Sequence, residues 1–357
     1  MSDVFDILVS VDRESLGIKS DNRYLLVNGV HFHKDKLPCS KIVILGVGEG
    51  RGLTLVRKSL YGLYYRLETG VTDLGNIPPA ENGRLQELLK ILSDDNKTVI
   101  LIGNSMDVLP VCLDSLADRE SISASVVSPA LVQSGFTDSL FSNRFRNLFD
   151  FNCLAYQTYL SDPGILRTFS SRYFETLRLG KFRENRMIYE PALRSSDILS
   201  LDLASIRKSE AADSLYSGLN GLYLEEICRI SRYAGISDNL KIANVFCRDK
   251  IEKNGQKNEI IAQIVWHIID GITNRADEIM LNNVNRIKKF LINLEQPEEQ
   301  LIFYHSDITN RWWMEIRKDS ETSPLIIPCM EEDYKMACRH DVPLRWIWYH
   351  QKVMEKN

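Results

Sequence analysis

The chain lacks any apolar run approaching the roughly 20 residues that a bilayer-spanning helix needs, so no membrane span is expected. It also lacks a secretory leader pattern. Met1 to Glu14 reads M-S-D-V-F-D-I-L-V-S-V-D-R-E, with acids where a leader needs a basic region and a longer apolar one. The seven cysteines (39, 112, 153, 228, 247, 329 and 338) include no C-x-x-C pair. An odd, scattered set fits reduced thiols and excludes a disulfide framework or a zinc module. A cytoplasmic location is the expectation. Neither sign of charge prevails: 44 Lys and Arg against 48 Asp and Glu leave a net charge of −4, which gives no electrostatic case for nucleic acid. No G-x-S-x-G elbow is present for a serine hydrolase.

What remains is an ordinary globular composition, 44% apolar and 26% charged over 357 residues, enough for one large α/β domain or two smaller ones. Strand and helix patterns alternate, which predicts a mostly parallel sheet covered on both faces. The expected strands are Lys41 to Leu45, Val71 to Asn76 (as a short edge strand), Lys97 to Ile102, Ile122 to Val127, Leu154 to Tyr159, Ile198 to Leu201 and Ile242 to Phe246. Expected helices run over Leu53 to Glu68, Arg84 to Leu92, Val108 to Leu116, Tyr173 to Leu179, Leu222 to Ala234 (stopping at Gly235) and Ile260 to Ile272. Residues 1–40 read as a preamble packed on a main domain of residues 41–275. Residues 276–357 read as a C-terminal extension with a charged helix over Asp277 to Leu294 and an aromatic tail. Trp312, Trp313, Trp346 and Trp348 are too many large aromatics to leave in water. They pack either on the main domain or on another chain, so they are the candidate interface.

After the first strand, Gly46 to Gly52 spells G-x-G-x-G-x-G. A strand running into glycines can cradle a phosphate at a helix N-terminus. The run lacks the Lys-Ser/Thr of a phosphate loop, and a tight strand-to-helix turn is the better reading. The most informative stretch is Ser195 to Glu210, S-S-D-I-L-S-L-D-L-A-S-I-R-K-S-E. Its apolar core is a buried strand, and Asp202 ends it, where open α/β sheets place their ligands. The bland alternative is an aspartate capping the next turn.

Four stretches carry a family resemblance: Tyr173 to Gly180 (Y-F-E-T-L-R-L-G), Glu190 to Asp197 (E-P-A-L-R-S-S-D), Asn220 to Glu226 (N-G-L-Y-L-E-E) and Arg232 to Asp238 (R-Y-A-G-I-S-D). With the strand order over about residues 41–275, they resemble the ureohydrolases: arginase, agmatinase and formimidoylglutamase. The bacterial formimidoylglutamase-like branch is the most similar, and R-W-W-M-E at 311–315 resembles its C-terminal extension. The resemblance implies a three-layer α/β/α arginase-like fold. It also implies a two-manganese centre that activates a bridging water against a C–N bond. Two dications about 3.5 Å apart repel by roughly 19 kcal/mol at an effective dielectric of about 20. Four carboxylates and two imidazoles offset that repulsion in the family, and such hard donors suit manganese.

Carried over by the resemblance, those ligands are nearly all missing. Gly-Gly-Asp-His falls on Ile102, Gly103, Asn104 and Ser105, so the histidine becomes Ser105. Asp-Ala-His-x-Asp falls on Ser128, Pro129, Ala130, Leu131 and Val132. Ser-x-Asp-x-Asp falls on Ser200 to Ala204, keeping Asp202 and replacing the second aspartate by Ala204. The late glutamate that grips substrate falls nearest Cys247. Asp202 is the single ligand that survives. Substitutes are few. His267 lies in an apolar helix, and His31 and His33 form an H-x-H pair in the preamble. Asp107 fits an acid at a helix N-terminus, and Cys247 beside Arg248 has no assignable base.

The expectation is therefore a metal-free, cofactor-free and catalytically degenerate member of the fold, kept for binding or assembly with a protein partner or with its own copies. Two alternatives stand: an active formimidoylglutamase-like hydrolase of a linear amidine, or a small-molecule sensor using the emptied cleft.

Overall fold

Ile42 and Ile44 point into one apolar cluster and Val43 and Leu45 into another, so the strand they form is buried on both faces. That is why it reads as an unbroken apolar run instead of an alternating one. The computed structural model describes residues 4–19, 22–32, 38–48, 50–65, 70–103, 108–130, 140, 143–212, 214–249, 251, 255–276, 278, 286–294, 300–317 and 324–355. In chain order the strands of the main sheet are β1 (Val30–Phe32), β2 (Ile42–Val47), β3 (Val71–Ile77), β4 (Thr98–Gly103) and β5 (Ile122–Val127). They are followed by β6 (Leu148–Tyr156), β7 (Thr176–Arg178), β8 (Ile198–Asp202) and β9 (Ile242–Phe246). All nine pair in parallel, in the spatial order β1-β3-β2-β4-β9-β8-β5-β6-β7.

Helices cover both faces. One layer holds α1 (Arg51–Tyr61), α5 (Leu179–Glu184), α6 (Glu190–Ser195), α7 (Leu224–Ile236) and α8 (Gln256–Thr273) over the cluster that contains Ile44, Leu199 and Val245. The other holds α2 (Asn82–Asp94), α3 (Val108–Ser115) and α4 (Pro163–Ser171) over Val43, Leu101 and Val126. The result is a three-layer α/β/α sandwich with a mostly buried parallel sheet, as expected.

Local sequence accounts for several boundaries. Asp162 caps α4 by accepting the Gly164 N–H at 2.6 Å, with Pro163 in the first turn. Glu226 accepts the Tyr223 N–H at 2.8 Å at the start of α7. Helix α7 does not stop at Gly235 but runs through it, because that glycine serves a helix crossing. A Cβ there would lie 2.4 Å from the Ile268 carbonyl oxygen of α8, and one on Gly271 would lie 2.5 Å from the Arg232 carbonyl oxygen. The two glycines let the helix backbones touch. Gly271→Val is expected to lower stability by about 1–3 kcal/mol through overpacking. A urea midpoint unchanged from wild type would show that the crossing relaxes freely.

Other expectations need correction. Val71–Ile77 is not an edge strand, because Val30 of the preamble pairs with Val71 and makes β1 the edge. Helix α1 ends at Tyr61, well before Glu68. Tyr173 to Leu179 is not a helix. Tyr173 takes a left-handed backbone (φ 55°), and Leu177 then pairs with Leu154 in β7. The described part of the supposed charged helix, Ile287–Asn293, is strand β10. Its β-prone residues find cross-strand partners, Phe290 opposite Phe303 and Ile292 opposite Leu301, and those contacts override the helical spacing.

Strand β10 opens a four-stranded antiparallel sheet with β11 (Gln300–Ser306), β12 (Trp312–Ile316) and β13 (Leu325–Cys329). Helices α9 (Glu331–Ala337) and α10 (Leu344–Glu355) close the chain over a third apolar cluster. This unit is fastened to the main domain by buried polar contacts. Arg194 Nη2 of α6 donates to the carbonyls of Trp312 (3.0 Å) and Cys329 (3.2 Å). From α10, Arg345 pairs with Glu175, while Tyr349 (2.6 Å) and Lys352 both donate to Asp150.

Candidate functional site

Strands β4, β9, β8 and β5 are neighbours, and the chain runs out of them at Gly103, Cys247, Asp202 and Ser128. Strands β9 and β8 are inserted between β4 and β5, so this is where strand order breaks from chain order, the usual ligand crevice of an open α/β sheet. The sequence reading placed its cleft here. Asn104, Ser105, Asp107, Leu131 and Val132 lie outside the described residues, as does His33.

Asp202 is fully buried. Its Oδ1 accepts the Ala204 N–H at 2.9 Å, which forms the turn after β8 and buries Ala204. Its Oδ2 faces the Arg248 guanidinium, with Nε at 2.8 Å and Nη2 at 2.7 Å. Ser128 Oγ stands 3.4 Å from the same oxygen and 3.0 Å from the Ala130 carbonyl, and Arg248 Nη2 is 3.5 Å from that hydroxyl. Burial pushes the Asp202 carboxyl up, and Arg248 with the Ala204 N–H partly offsets this. Arg248 itself keeps 21% of its side chain exposed, so the ion pair forms the floor of the crevice with the cation outermost.

Cys247 is not poised as a nucleophile. Burial pushes its thiol up to about 12, and Sγ donates to the Asp249 carbonyl at 2.8 Å. The neighbouring Arg248 spends its charge on Asp202. The other substitutes stand apart. His31 lies on β1, with β3, β2, β4 and β9 between it and β8. His267 belongs to α8, which packs on α7 and α1, and burial lowers its pKa. The glycine run is a tight turn: Gly50 has φ 110°, and a Cβ on Gly52 would lie 2.2 Å from the Ile251 carbonyl oxygen.

The proposed interface aromatics divide. Trp312 and Trp313 are only 8% and 6% exposed, within this chain; Trp312 stacks on Tyr334 at 4.5 Å and the Arg194 guanidinium covers Trp313 at 4.6 Å. Trp346, half-buried, donates from Nε1 to the Glu315 carbonyl at 3.2 Å, and Trp348 is half-buried on the same helix. Within this chain, then, Trp312 and Trp313 are buried, while Trp346 and Trp348 keep part of their surface exposed.

No protein-family model matches the sequence, and a search of curated proteins finds no match. Solved structures do match. Formiminoglutamase from Trypanosoma cruzi with Mn2+2 is 16% identical with a TM-score of 0.58, over 66% of this chain and 94% of that one. Formimidoylglutamase from Bacillus subtilis is 12% identical with a TM-score of 0.62, over 72% and 95%. Agmatine ureohydrolase of Thermoplasma volcanium is 14% identical with a TM-score of 0.52, over 73% and 98%. The chain has the ureohydrolase fold.

A ureohydrolase-fold crevice that held two dications would need several carboxylates and imidazoles converging on it. Among the described residues no three His, Cys, Asp or Glu side chains gather anywhere. The carboxylate that is present already holds a cation of its own, Arg248, together with a backbone N–H. A hydroxyl, a high-pKa thiol and a guanidinium complete the described set, which does not fit a dimanganese centre. Arg248 is the residue that sequence reasoning missed in this role. The available signal was an arginine two residues past β9, next to Cys247, where the resemblance had placed a substrate-gripping glutamate.

Proposed function

We propose that this chain is a catalytically degenerate, metal-free ureohydrolase-fold protein that serves by binding or assembly, its extension of residues 276–357 fastened onto the 41–275 domain. The observation that supports the reading is the Asp202–Arg248 pair. A single guanidinium, tied covalently to β9, balances Asp202, the one carboxylate among the described residues of the crevice. It supplies fixed charge where the solved relatives named for manganese would carry a labile ion, and it offers no open coordination position to activate water.

The test is metal content after incubation with manganese and desalting. Less than a tenth of an ion per chain is expected, whereas about two ions per chain, as in two-metal hydrolases, would overturn the reading. Hydrolysis of formimidoylglutamate, agmatine or arginine that disappears in Asp202→Ala would overturn it equally. Arg248→Met makes a sharper prediction. Leaving Asp202 buried without its cation should cost about 3–5 kcal/mol. The same variant should still retain no manganese, because the single carboxylate of the described crevice cannot hold two dications.

A further inference from the structure

The most exposed apolar side chains among the described residues lie in the loop after β8, and those of the aromatic tail (Leu344 56%, Ile347 38%, Met354 36%) are less exposed. Loop 207–222 leaves the carboxyl end of β8 and closes on itself. Arg207 N–H donates to the Leu222 carbonyl (3.0 Å), Leu222 N–H to the Ser205 carbonyl (2.8 Å) and Lys208 N–H to the Gly218 carbonyl (2.7 Å). At the neck, a Cβ on Gly221 would lie 2.6 Å from Arg207 N, so the two strands of the loop are packed backbone to backbone. A loop closed this tightly would ordinarily turn its apolar residues inward. This one leaves Leu219 89%, Leu215 80% and Tyr216 53% exposed. Tyr159, at the carboxyl end of β6, adds a fourth at 72%. Its hydroxyl donates to Gln157, and Gln157 Nε2 donates to the Asn220 carbonyl at 3.0 Å, which places it beside the loop. Such clustering marks an interaction surface, unlike the single exposed apolar residues that any protein shows.

The charges around the patch name the partner's chemistry. Arg183 reaches the loop by donating from Nη2 to the Gly221 carbonyl at 2.8 Å. The guanidinium groups of Arg183 and Arg207 lie over the Tyr223 ring at 5.7 and 4.6 Å. No carboxylate among the described residues lies within ion-pair distance of either. The nearby Glu210 and Glu226 carboxylates are engaged by the Leu224 and Tyr223 N–H groups, so a purely apolar partner would desolvate two cations that no described carboxylate pairs with, which is costly. A second copy docking by this face would set like charges together. A chain of net charge −4 has no general attraction to an anionic bilayer. We infer that the described residues of this loop, 207–212 and 214–222, with Tyr159 and Arg183, are the docking surface for an acidic, amphipathic segment of another protein. Its apolar side chains would cover Leu215 and Leu219, and its carboxylates would pair with Arg183 and Arg207.

The inference deepens the binding role proposed above, and it stands or falls separately, since metal retention tests the crevice and not this loop. The experiment uses the full chain, immobilised, to select from displayed random peptides of about 15 residues, long enough to form an anchored helix or strand. Enrichment of sequences that interleave Asp or Glu with Leu, Phe or Tyr is expected. Their affinity should fall at least about tenfold in Leu219→Ser and in Arg207→Glu, and the melting temperature should be unchanged in Leu219→Ser, whose side chain is almost fully exposed. No enrichment, enrichment without acidic residues, or binding indifferent to both variants would overturn the inference. Co-sedimentation with phosphatidylcholine–phosphatidylserine vesicles that is lost in Leu219→Ser would overturn it in favour of a bilayer. A dimer in sedimentation velocity that is lost in the same variant would overturn it in favour of self-association.

Discussion

Asp73→Ala is expected to destabilise the protein by about 3–5 kcal/mol, the cost of leaving a buried charge without its partner. Asp73 and Arg57 are both fully shielded from water inside the layer between β3 and α1. Their geometry is bidentate, with Nε at 2.7 Å from Oδ2 and Nη2 at 3.0 Å from Oδ1. Two of the other three guanidinium protons go to Asn76 Oδ1 and the Gly75 carbonyl, each at 2.7 Å. Tyr61 donates its hydroxyl to Asp73, and the Gly75 N–H donates to Oδ1 at 2.8 Å. Burial works against the Arg57 charge, yet Asp73 holds its pKa above the ordinary value. Removing Asp73 strands that cation together with the hydroxyl and N–H that faced the carboxylate. Replacing both partners, in Arg57→Met with Asp73→Leu, should recover much of the loss, since an apolar pair of similar volume can match a buried ion pair. Urea midpoints for the two singles and the double decide the point. A single-variant cost below about 1 kcal/mol, the range of an exposed pair, would mean that water reaches the pair.

How much of this was legible in the sequence depended on range. The buried strands were readable because each is a continuous apolar run bounded by turns, as in Thr98–Gly103 and Ile242–Phe246. Position 202 was readable because a carboxylate at a strand's carboxyl end has a fixed address in this kind of sheet. Strand β10 was not, since I-K-K-F-L-I-N alternates too irregularly to exclude a helix until Phe303 and Leu301 stand opposite it. The Arg248–Asp202 pair was not readable either. The two residues are 46 positions apart, and nothing local tells an arginine which of several acids it will meet. The same holds for Arg57 and Asp73, whose pairing follows from α1 lying across β3. Exposure was the least legible property of all. Trp312 and Trp313 looked like candidates for a contact surface and are buried, while Leu215 and Leu219, unremarked in a loop, are among the most exposed apolar residues. Hydrophobicity fixes that a side chain wants cover, and only the fold decides whether it finds it.

The attachment of the C-terminal unit yields the second large effect. Lys352→Met is expected to cost about 3–5 kcal/mol and to release α10 from the main domain before the parallel sheet unfolds. Asp150 is fully buried on β6, where Lys352 and Tyr349 of α10 both donate to it. The ammonium of Lys352 also lies 4.6 Å from the centre of the Tyr349 ring and 5.5 Å from that of Phe174. Two turns before Lys352, Arg345 pairs with Glu175 and donates to the Pro328 carbonyl at 3.0 Å, joining α10, β13 and the main domain at a single side chain. The two acids respond to pH in opposite senses. Burial pushes the Asp150 carboxyl up, but Lys352, Tyr349 and Arg345 outweigh it and hold the pKa below 3.8. Its stabilisation is therefore complete above the unfolded value and is lost as pH falls through the lower folded one. Burial instead holds Glu175 above 4.5 in spite of Arg345, so its contribution is complete below that value and declines as pH rises through the folded pKa. In Lys352→Met, Asp150 loses its main cation while burial persists, so its pKa should rise and the variant should gain stability relative to wild type as the medium is acidified from pH 7 toward pH 4. Tryptophan fluorescence and amide hydrogen exchange across that range, with Trp346 and Trp348 reporting from α10 itself, give the comparison. Exchange in 344–355 that stays as slow as in the central strands would show that the helix is held by its apolar face alone and that the ion pair contributes little.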